Sequence, residues 1–298
     1  MAIFVRSPGS CGEFIQGSLG GTPFLLTCPV NRYSHALADV QHPFRHNHFP
    51  LQAKARKARE LTLALLGMEE ENTPIYVRSD IPQGKGMASS SADIGAVAMA
   101  TALLKGRELT LTELEKISLA IEPSDATFYP GVVLFDYLKG NLSKQMGVCP
   151  PMKIVIFDEG GSVDTVAFNN RVELPDLIRE KEGLIEEALH LFELGINSKD
   201  VDLIGRASTI SSFANQRILP KPDLYGVHEI GQYYGSSGTI IAHSGTIMGL
   251  IFPVDEKNVD KVVREVLREH SNLSFLDTVE TTNEGIAYTR RNNDRAWR

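Results

Sequence analysis

A glycine- and serine-rich loop between a strand pattern and a long alanine-rich helix pattern constrains the fold of this chain more than any other feature. The loop reads Pro82-Gln83-Gly84-Lys85-Gly86-Met87-Ala88-Ser89-Ser90-Ser91-Ala92 and lies between a strand pattern at 75–79 and a helix pattern at 92–104. Two glycines let the backbone approach an anion closely. Three hydroxyls stand at the start of a helix, whose unpaired N–H groups and dipole favour phosphate. The order strand, loop, helix therefore predicts a phosphate-binding loop.

The loop does not match three better-known nucleotide loops. A Walker A loop needs a glycine five residues before its Gly-Lys pair and Ser or Thr directly after it, but Ser79 and Gly86 occupy those positions. The loop lacks the third glycine of the dinucleotide-binding fingerprint, because Ser89 stands there. The His-Arg-Asp and Asp-Phe-Gly motifs of protein kinases are also missing from the sequence. A plain alternative stays open, because Ser90 and Asp93 have the spacing of a capping box and could simply begin a helix.

Chain length indicates two domains. The chain has 298 residues, and single hydrophobic cores rarely grow beyond about 250 residues. Hydrophobic residues make up 42% and charged residues 22%, which is typical of a folded protein and not of a disordered one. A loop-like stretch at 139–151 suggests the boundary, so we expect domains at 1–148 and 149–298.

Charge and residue patterning favour a small-molecule partner in the cytoplasm. The net charge of −7 gives no overall positive field for nucleic acid or anionic lipid. The weakly polar run 92–104 is shorter than the roughly 20 residues of a membrane helix, and the first residues do not resemble a signal peptide. Cys11, Cys28 and Cys149 are too widely spaced for a zinc or redox pair and fit a reducing compartment.

The element pattern predicts an α+β fold rather than a regular βαβ alternation. In the first half, strand patterns lie at 2–6, 24–40, 75–79 and 132–137, with an ordered loop between the first two. Helix patterns lie at 55–66, 92–104 and 112–122, and the last begins at a Thr112–Glu115 capping box. In the second half, a strand at 153–157 and two strands around 243–245 accompany helix patterns near 176–194, 199–213, 222–234 and 256–270. The Arg-rich segment 290–298 is expected to be a frayed end.

At the loop, the chain resembles the GHMP kinases, named for galactokinase, homoserine kinase, mevalonate kinase and phosphomevalonate kinase. Two further family motifs follow in the expected order, Pro8-Gly9-Ser10-Cys11-Gly12-Glu13 near the start and Ala242-His243-Ser244-Gly245-Thr246-Ile247-Met248-Gly249 near the end. Met87 stands where leucine is usual, and Ser10 where Arg or Lys is more common. The resemblance implies a domain like ribosomal protein S5 domain 2 followed by a ferredoxin-like domain.

The family resemblance implies an ATP- and Mg²⁺-dependent kinase of a small hydroxyl compound. The segments 8–17, 84–94 and 122–125 are similar to those of the branch that phosphorylates free L-threonine, whose product supplies the linker of the cobalamin nucleotide loop. A homoserine-type or other hydroxyl kinase, and a nucleotide-binding sensor without turnover, stay open as alternatives. A homodimer also stays open.

The resemblance also implies which residues form the donor side of the site, where ATP, the phosphate donor, and Mg²⁺ bind. Ser90 and Glu122 are the candidate Mg²⁺ ligands, although a capping serine and a merely solvated glutamate are the plain alternatives. Asp125 is expected to accept or orient the acceptor proton, or else to cap a turn. Lys85 is a candidate catalytic cation, with a solvated loop lysine equally open. The nucleotide is expected to contact Pro82, Gly84, Lys85, Gly86, Met87, Ala88, Ser89, Ser90 and Ser91.

The residues that bind the phosphate acceptor are expected to come from the first motif, residues 8–13, and the third motif, residues 242–249. Glu13 suits the ammonium of an amino acid, because carboxylates form strong charge-assisted hydrogen bonds with cations. The full set of expected substrate contacts is Ser10, Glu13, Gln16, Asp125, Ser244 and Gly245. A zinc site at His42, His46 and His48 is disfavoured, because Pro43 breaks helical spacing and no Cys or Glu joins them.

Overall fold

The computed structural model describes residues 2–39, 51–68, 75–163 and 165–291, and a large antiparallel sheet dominates them. The strands are β1 Ala2–Leu19, β2 Thr22–Asp39, β3 Ile75–Ser79, β4 Val132–Phe135, β5 Ser143–Gly147, β6 Met152–Asp158, β7 Gly238–Ile241, β8 Ile247–Pro253, β9 Ser274–Glu280 and β10 Ala287–Arg291. The helices are α1 Ala53–Leu65, α2 Ser89–Leu104, α3 Leu111–Leu119, α4 Thr165–Asn169, α5 Leu174–Glu180, α6 Glu182–Ser198, α7 Val201–Ala214, α8 Leu224–Tyr233 and α9 Val259–Glu269.

Strand β1 organises the sheet. The strand order is β5-β4-β2-β1-β7-β8-β6-β9, and β10 also pairs with β1 while β3 pairs with β2. The ordered loop expected after residue 6 is instead strand, since Gly20 and Gly21 alone form the turn between β1 and β2. Register shifts between Pro8 and Glu13 absorb the proline and glycines as bulges. Gly12 has φ +56°, and a Cβ there would lie 2.1 Å from the Ile241 carbonyl oxygen.

The alanine-rich helix α2 is buried against the sheet. Its side chains from Ser91 to Leu103 are all buried, because small alanines let the helix approach β1 and β2 closely. The helix begins at Ser89, three residues earlier than predicted. Its N-cap is Ala88, in the left-handed region, with no side-chain cap. The capping-box interpretation of Ser90 and Asp93 is therefore wrong.

The two halves of the chain share one sheet and one core. A hydrophobic cluster joins residues of β1 and β2 to residues of α6, α7 and β6, and the Phe14 and Phe192 rings lie 5.2 Å apart. Within the stretch 139–151, which we expected to be a loop, residues 143–147 form β5 against β4. Strand β10 returns to the first strand, pairing Arg291 with Ala2. The domain limits at 148 and 149 stay a prediction.

Two other local predictions need correction. The capping box of α3 is Thr110 with Glu113, not Thr112 with Glu115: the Thr110 hydroxyl accepts the Glu113 N–H, and the Glu113 carboxylate accepts the Thr110 N–H. Arg290 and Arg291 belong to β10 and are not frayed. The histidines at 42, 46 and 48 and the last residues, 292–298, lie outside the described part of the chain.

No helix among the described residues has the length and apolar character needed to cross a membrane. The same residues contain no group of three or more His, Cys, Asp or Glu side chains arranged to hold a metal ion.

Candidate active site

A cavity of about 480 Å³ opens between the glycine-rich loop, the segment after α3 and the bulged part of β1. Most of the side chains expected at the site line this cavity. They are Glu13, Gln16, Gly84, Gly86, Met87, Ala88, Ser89, Ser90, Ser91, Glu122, Asp125 and Ser244. Ser10, Pro82, Lys85 and Gly245 do not line it. The structure thus brings together residues that are more than 200 positions apart in the chain.

The first and third motifs support the glycine-rich loop from behind. Ser10 donates its backbone N–H to the Met87 carbonyl at 3.0 Å, and its buried hydroxyl has no partner among the described residues. Gly245 packs against the loop backbone, where a Cβ would lie 2.4 Å from the Lys85 carbonyl oxygen and 2.6 Å from the Gly86 Cα. Ser10 and Gly245 therefore shape the loop instead of facing the cavity.

Lys85 points away from the cavity. Its ammonium pairs with Asp158 at 2.7 Å and donates to the Gly161 carbonyl at 2.8 Å. The other Asp158 oxygen accepts from the Thr246 hydroxyl, and the Thr246 N–H donates to the Lys85 carbonyl at 3.1 Å. These bonds connect the loop to the second half of the chain. Lys85 was expected to be a catalytic cation, but in this structure its ammonium anchors the loop.

Glu122 is held between a hydroxyl and an ammonium group. It lies three residues after the end of α3, and its buried carboxylate accepts from the Ser90 hydroxyl on one oxygen and from the Lys54 ammonium on the other. Ser90 belongs to the first turn of α2, so the carboxylate stands beside that helix N-terminus. A carboxylate and a hydroxyl beside a phosphate cradle are the oxygen donors that Mg²⁺ accepts when phosphates complete its shell.

Asp125 is buried next to the helix start. Its carboxylate accepts from the Ser91 hydroxyl at 3.2 Å, and its N–H donates to the same hydroxyl oxygen at 3.3 Å. Burial, reinforced by the negative charges of Glu13 and Glu122, raises the pKa of Asp125 to about 7. A carboxylate with that pKa can take up a proton near neutral pH.

The third carboxylate of the cavity, Glu13, belongs to a buried network. Its Oε2 accepts from the His243 backbone N–H at 2.9 Å and lies 3.0 Å from the His243 Nδ1. The His243 Nε2 is 2.9 Å from the Ser211 hydroxyl, which also accepts the Gln16 N–H at 3.1 Å. Both hydrogen bonds that the structure describes for the Glu13 carboxylate end on Oε2, which leaves Oε1 for a ligand.

The network determines where the proton of His243 lies. Burial lowers the pKa of His243 well below its usual value, so the imidazole is neutral and carries one proton. Placing that proton on Nδ1 satisfies Glu13, and the Ser211 hydroxyl then donates to Nε2. Burial raises the pKa of Glu13 to about 7, while the His243 N–H and the ammonium groups of Lys181 and Lys221 oppose that rise.

Sequence reasoning missed two of these residues and left a third without a role. Lys54 lies outside every motif, and its only signal is its place at the start of a basic amphipathic helix. Ser211 lies in a helix pattern with nothing to mark it, and His243 was noticed without a partner because Glu13 is 230 residues away.

Comparison with known proteins defines the class. The family model for the GHMP kinases N terminal domain matches residues 53–129. The chain is 32% identical to an L-threonine kinase of Salmonella typhimurium over 86% of this chain and 84% of the relative. The chain therefore belongs to the GHMP kinases. GHMP kinases use ATP as the phosphate donor, and the kinase relatives of this chain support a phosphotransferase that acts on a small-molecule alcohol.

Two further likenesses agree with this family. An L-threonine kinase of Citrobacter freundii is 30% identical over 88% of this chain and 90% of the relative. The crystal structure of a homoserine kinase from Cytophaga hutchinsonii superposes with a TM-score of 0.68 at 18% identity, covering 97% of each chain. The mixed α+β architecture with its large antiparallel sheet is thus the GHMP kinase fold, as the motifs predicted.

Proposed function

We propose that this protein transfers the γ-phosphoryl group of Mg·ATP to the side-chain hydroxyl of free L-threonine, giving L-threonine O-3-phosphate and ADP. The observation that carries the proposal is the joint opening of the Ser90–Glu122 pair, Asp125 and Glu13 onto one cavity beside the glycine-rich loop. The similarity to two L-threonine kinases supports the choice of acceptor.

On the donor side, we assign the backbone N–H groups of 84–89 to the phosphates and Ser90 and Glu122 to Mg²⁺. Positive φ angles at Gly84, Gly86 and Ala88 make this backbone turn sharply at the start of α2, as close approach to an anion requires. Bound Mg²⁺ would neutralise charge on the β- and γ-phosphates. The Ser90–Glu122 contact holds both oxygen donors at one point before the nucleotide arrives.

On the acceptor side, Asp125 takes the hydroxyl proton. The threonine hydroxyl oxygen forms a new bond to the γ-phosphorus, the bond from that phosphorus to the β–γ bridging oxygen breaks, and ADP leaves with the electron pair. Asp125 suits this role because its carboxylate is buried in the cavity with a pKa near 7. The Ser91 hydroxyl fixes the orientation of the carboxylate.

Glu13 is the proposed receptor for the substrate ammonium. Glu13 lines the cavity and its described hydrogen bonds end on Oε2, so an ammonium at Oε1 would gain a charge-assisted hydrogen bond. Gln16 and Ser244 also line this region and supply polar contacts for the remaining groups of an amino acid. Product formed this way would supply the aminopropanol linker of the cobalamin nucleotide loop, and we place the reaction in the cytoplasm.

Two other functions are weighed against this one. Homoserine has the same ammonium and carboxylate with one more methylene before its hydroxyl, and the fold is shared with homoserine kinases. A nucleotide-binding sensor without turnover is disfavoured, because the contacts among Ser90, Glu122 and Asp125 and their neighbours are intact.

The deciding experiment is ADP release from ATP and Mg²⁺ with L-threonine, L-serine, L-homoserine and mevalonate in parallel, with the product identified by phosphorus NMR. We expect a phosphomonoester from L-threonine with the highest kcat/KM. (R)-3-hydroxybutyrate keeps the hydroxyl and carboxylate of threonine but lacks its ammonium, so it should be a poor acceptor. Preference for homoserine would overturn the threonine assignment, and ATP binding without turnover would favour the sensor.

A further inference from the structure

Lys54 is the one cationic side chain among the described residues that line the cavity. It lies in the first turn of α1, and its ammonium contacts the Glu122 carboxylate oxygen that Ser90 does not use. The Lys54 side chain is 48% exposed, whereas the Glu122 side chain is 5% exposed. The ammonium thus contacts the carboxylate that we assign to Mg²⁺, while about half of the lysine side chain stays exposed.

Other lysines near the site have partners elsewhere. Lys85 is bound to Asp158 and Gly161. Lys181 donates to the Asn215 side chain at 3.1 Å, and Lys221 donates to Glu159 at 3.0 Å and to the Gly245 carbonyl at 2.9 Å. Lys181 and Lys221 are buried behind Glu13, and neither lines the cavity. Their charges offset that of Glu13 rather than that of a nucleotide.

The charge of the cavity favours a cation on the donor side in addition to the proposed Mg²⁺. Three carboxylates line it, those of Glu13, Glu122 and Asp125, and a nucleoside triphosphate adds several more negative charges. The first motif carries Ser10 where a cation is usual in this family, and that serine lies behind the loop. Phosphoryl transfer depends on fixed positive charge around the transferred group.

We propose that Lys54 is a nucleotide-binding catalytic residue, whose ammonium exchanges Glu122 for a phosphate oxygen of ATP when the nucleotide enters. This inference rests on the proposed function of the donor side and not on the identity of the acceptor. The exchange needs little movement, because Lys54 and Ser90 contact the two oxygens of one carboxylate and Ser90 stands at the start of α2. A half-exposed lysine on a four-carbon stem can make that movement.

The test is calorimetric titration with ADP and a non-hydrolysable ATP analogue, with and without Mg²⁺ and without acceptor. The variants are Lys54→Met, Lys54→Arg and the control Lys57→Met, which removes an exposed lysine of the same helix that pairs with Glu60. We expect Lys54→Met to weaken binding of the ATP analogue about tenfold or more, both with and without Mg²⁺. A loss of this size corresponds to one charge-assisted hydrogen bond. Lys54→Arg should restore most of the affinity, and Lys57→Met should change nothing.

Each result separates this inference from its alternatives. Wild-type affinity in Lys54→Met would overturn it, and so would a loss seen only with Mg²⁺, because Lys54 would then act solely by orienting Glu122. The Glu122→Gln background sharpens the point, since a direct phosphate contact predicts that Lys54→Met still weakens binding there. If the wild-type protein itself bound no nucleotide, the proposed function would fail instead. Equal melting temperatures of the variants would exclude a folding defect.

Discussion

The donor and acceptor sides of the cavity are built in different ways. On the donor side, the expected phosphate cradle uses consecutive residues, 84–91, whose backbone N–H groups need only the right glycines and a helix start, and the Glu122 and Lys54 side chains join it from outside. The acceptor side uses Glu13, Ser211 and His243, which three distant parts of the chain bring together in the interior. A backbone cradle tolerates side-chain change, whereas a buried side-chain network does not. Nucleotide binding can therefore stay constant while acceptor choice depends on a few buried groups.

The largest expected effect tests the donor side. Glu122→Gln keeps the shape of the side chain but removes the charge that Lys54 contacts and that we propose as a ligand of Mg²⁺. We expect kcat to fall by about 10²–10³-fold or more, comparable to the loss of a transition-state charge contact. Steady-state rates across a Mg²⁺ titration measure this. Glu115→Gln, at a carboxylate bound to the Tyr129 hydroxyl, is the control that should keep its rate.

Asp125→Asn tests the point where the two sides meet. Loss of a general base costs about 10²–10⁴-fold, so we expect kcat to fall by at least 10²-fold with little change in ATP affinity. Single-turnover rates and nucleotide titration separate the two quantities. A rate close to that of the wild type would show that no side-chain base acts at this position and would restrict Asp125 to orienting the acceptor.

Glu13→Gln tests the acceptor side alone. Without the carboxylate charge, KM for L-threonine should rise about tenfold or more, while KM for ATP stays the same. If KM for L-threonine and KM for ATP rise together, the donor and acceptor sides do not act separately. (R)-3-hydroxybutyrate provides a matched acceptor, because it has no ammonium and should lose nothing from the substitution.

We also expect Glu13→Gln to shift the pH dependence of the reaction rate. Asp125 has a pKa of about 7, so it must lose its proton before it can act, and kcat at saturating L-threonine should rise with pH through neutrality. We choose kcat because kcat/KM would also report Glu13, whose own pKa is raised to about 7. The negative charge of Glu13 contributes to the raised pKa of Asp125. Removing it in Glu13→Gln should lower the Asp125 pKa and move the acidic limb of the profile to lower pH. An unmoved limb would mean that another group controls it.

The smallest expected effect concerns the support behind the loop. Gly245→Ala would place a Cβ 2.4 Å from the Lys85 carbonyl oxygen, so the loop or the third motif must shift. We expect a loss of about 1–3 kcal/mol in the free energy of unfolding and weaker nucleotide binding. The control is Gly183→Ala, a helical glycine with nothing within 4 Å, which should be neutral or stabilising. Denaturant unfolding measures both.

Sequence reasoning succeeded where the determinants are local. The glycines at 84 and 86, the hydroxyls at 89–91 and the carboxylates of Glu122 and Asp125 were expected at one site, and the structure places all of them around one cavity. Their roles toward ATP and Mg²⁺ stay a prediction. Sequence reasoning failed where distant residues decide. The bulges that turn 7–19 into strand form only when β2 and β7 supply partners. The pairing of Lys85 with Asp158 depends on β6, and the approach of Lys54 to Glu122 depends on how α1 packs near α3.

The return of β10 to β1 has a consequence for synthesis of the chain. Residues 287–291 pair with residues 2–6 on the edge of β1 that β2 does not use, so this edge lacks its neighbour until almost 290 residues have left the ribosome. During that time its exposed edge is a template for non-native pairing. Long-range pairing of this kind also slows folding, because a long loop must close before the contact forms. The nascent chain therefore carries an unpaired β1 edge until its last described strand emerges.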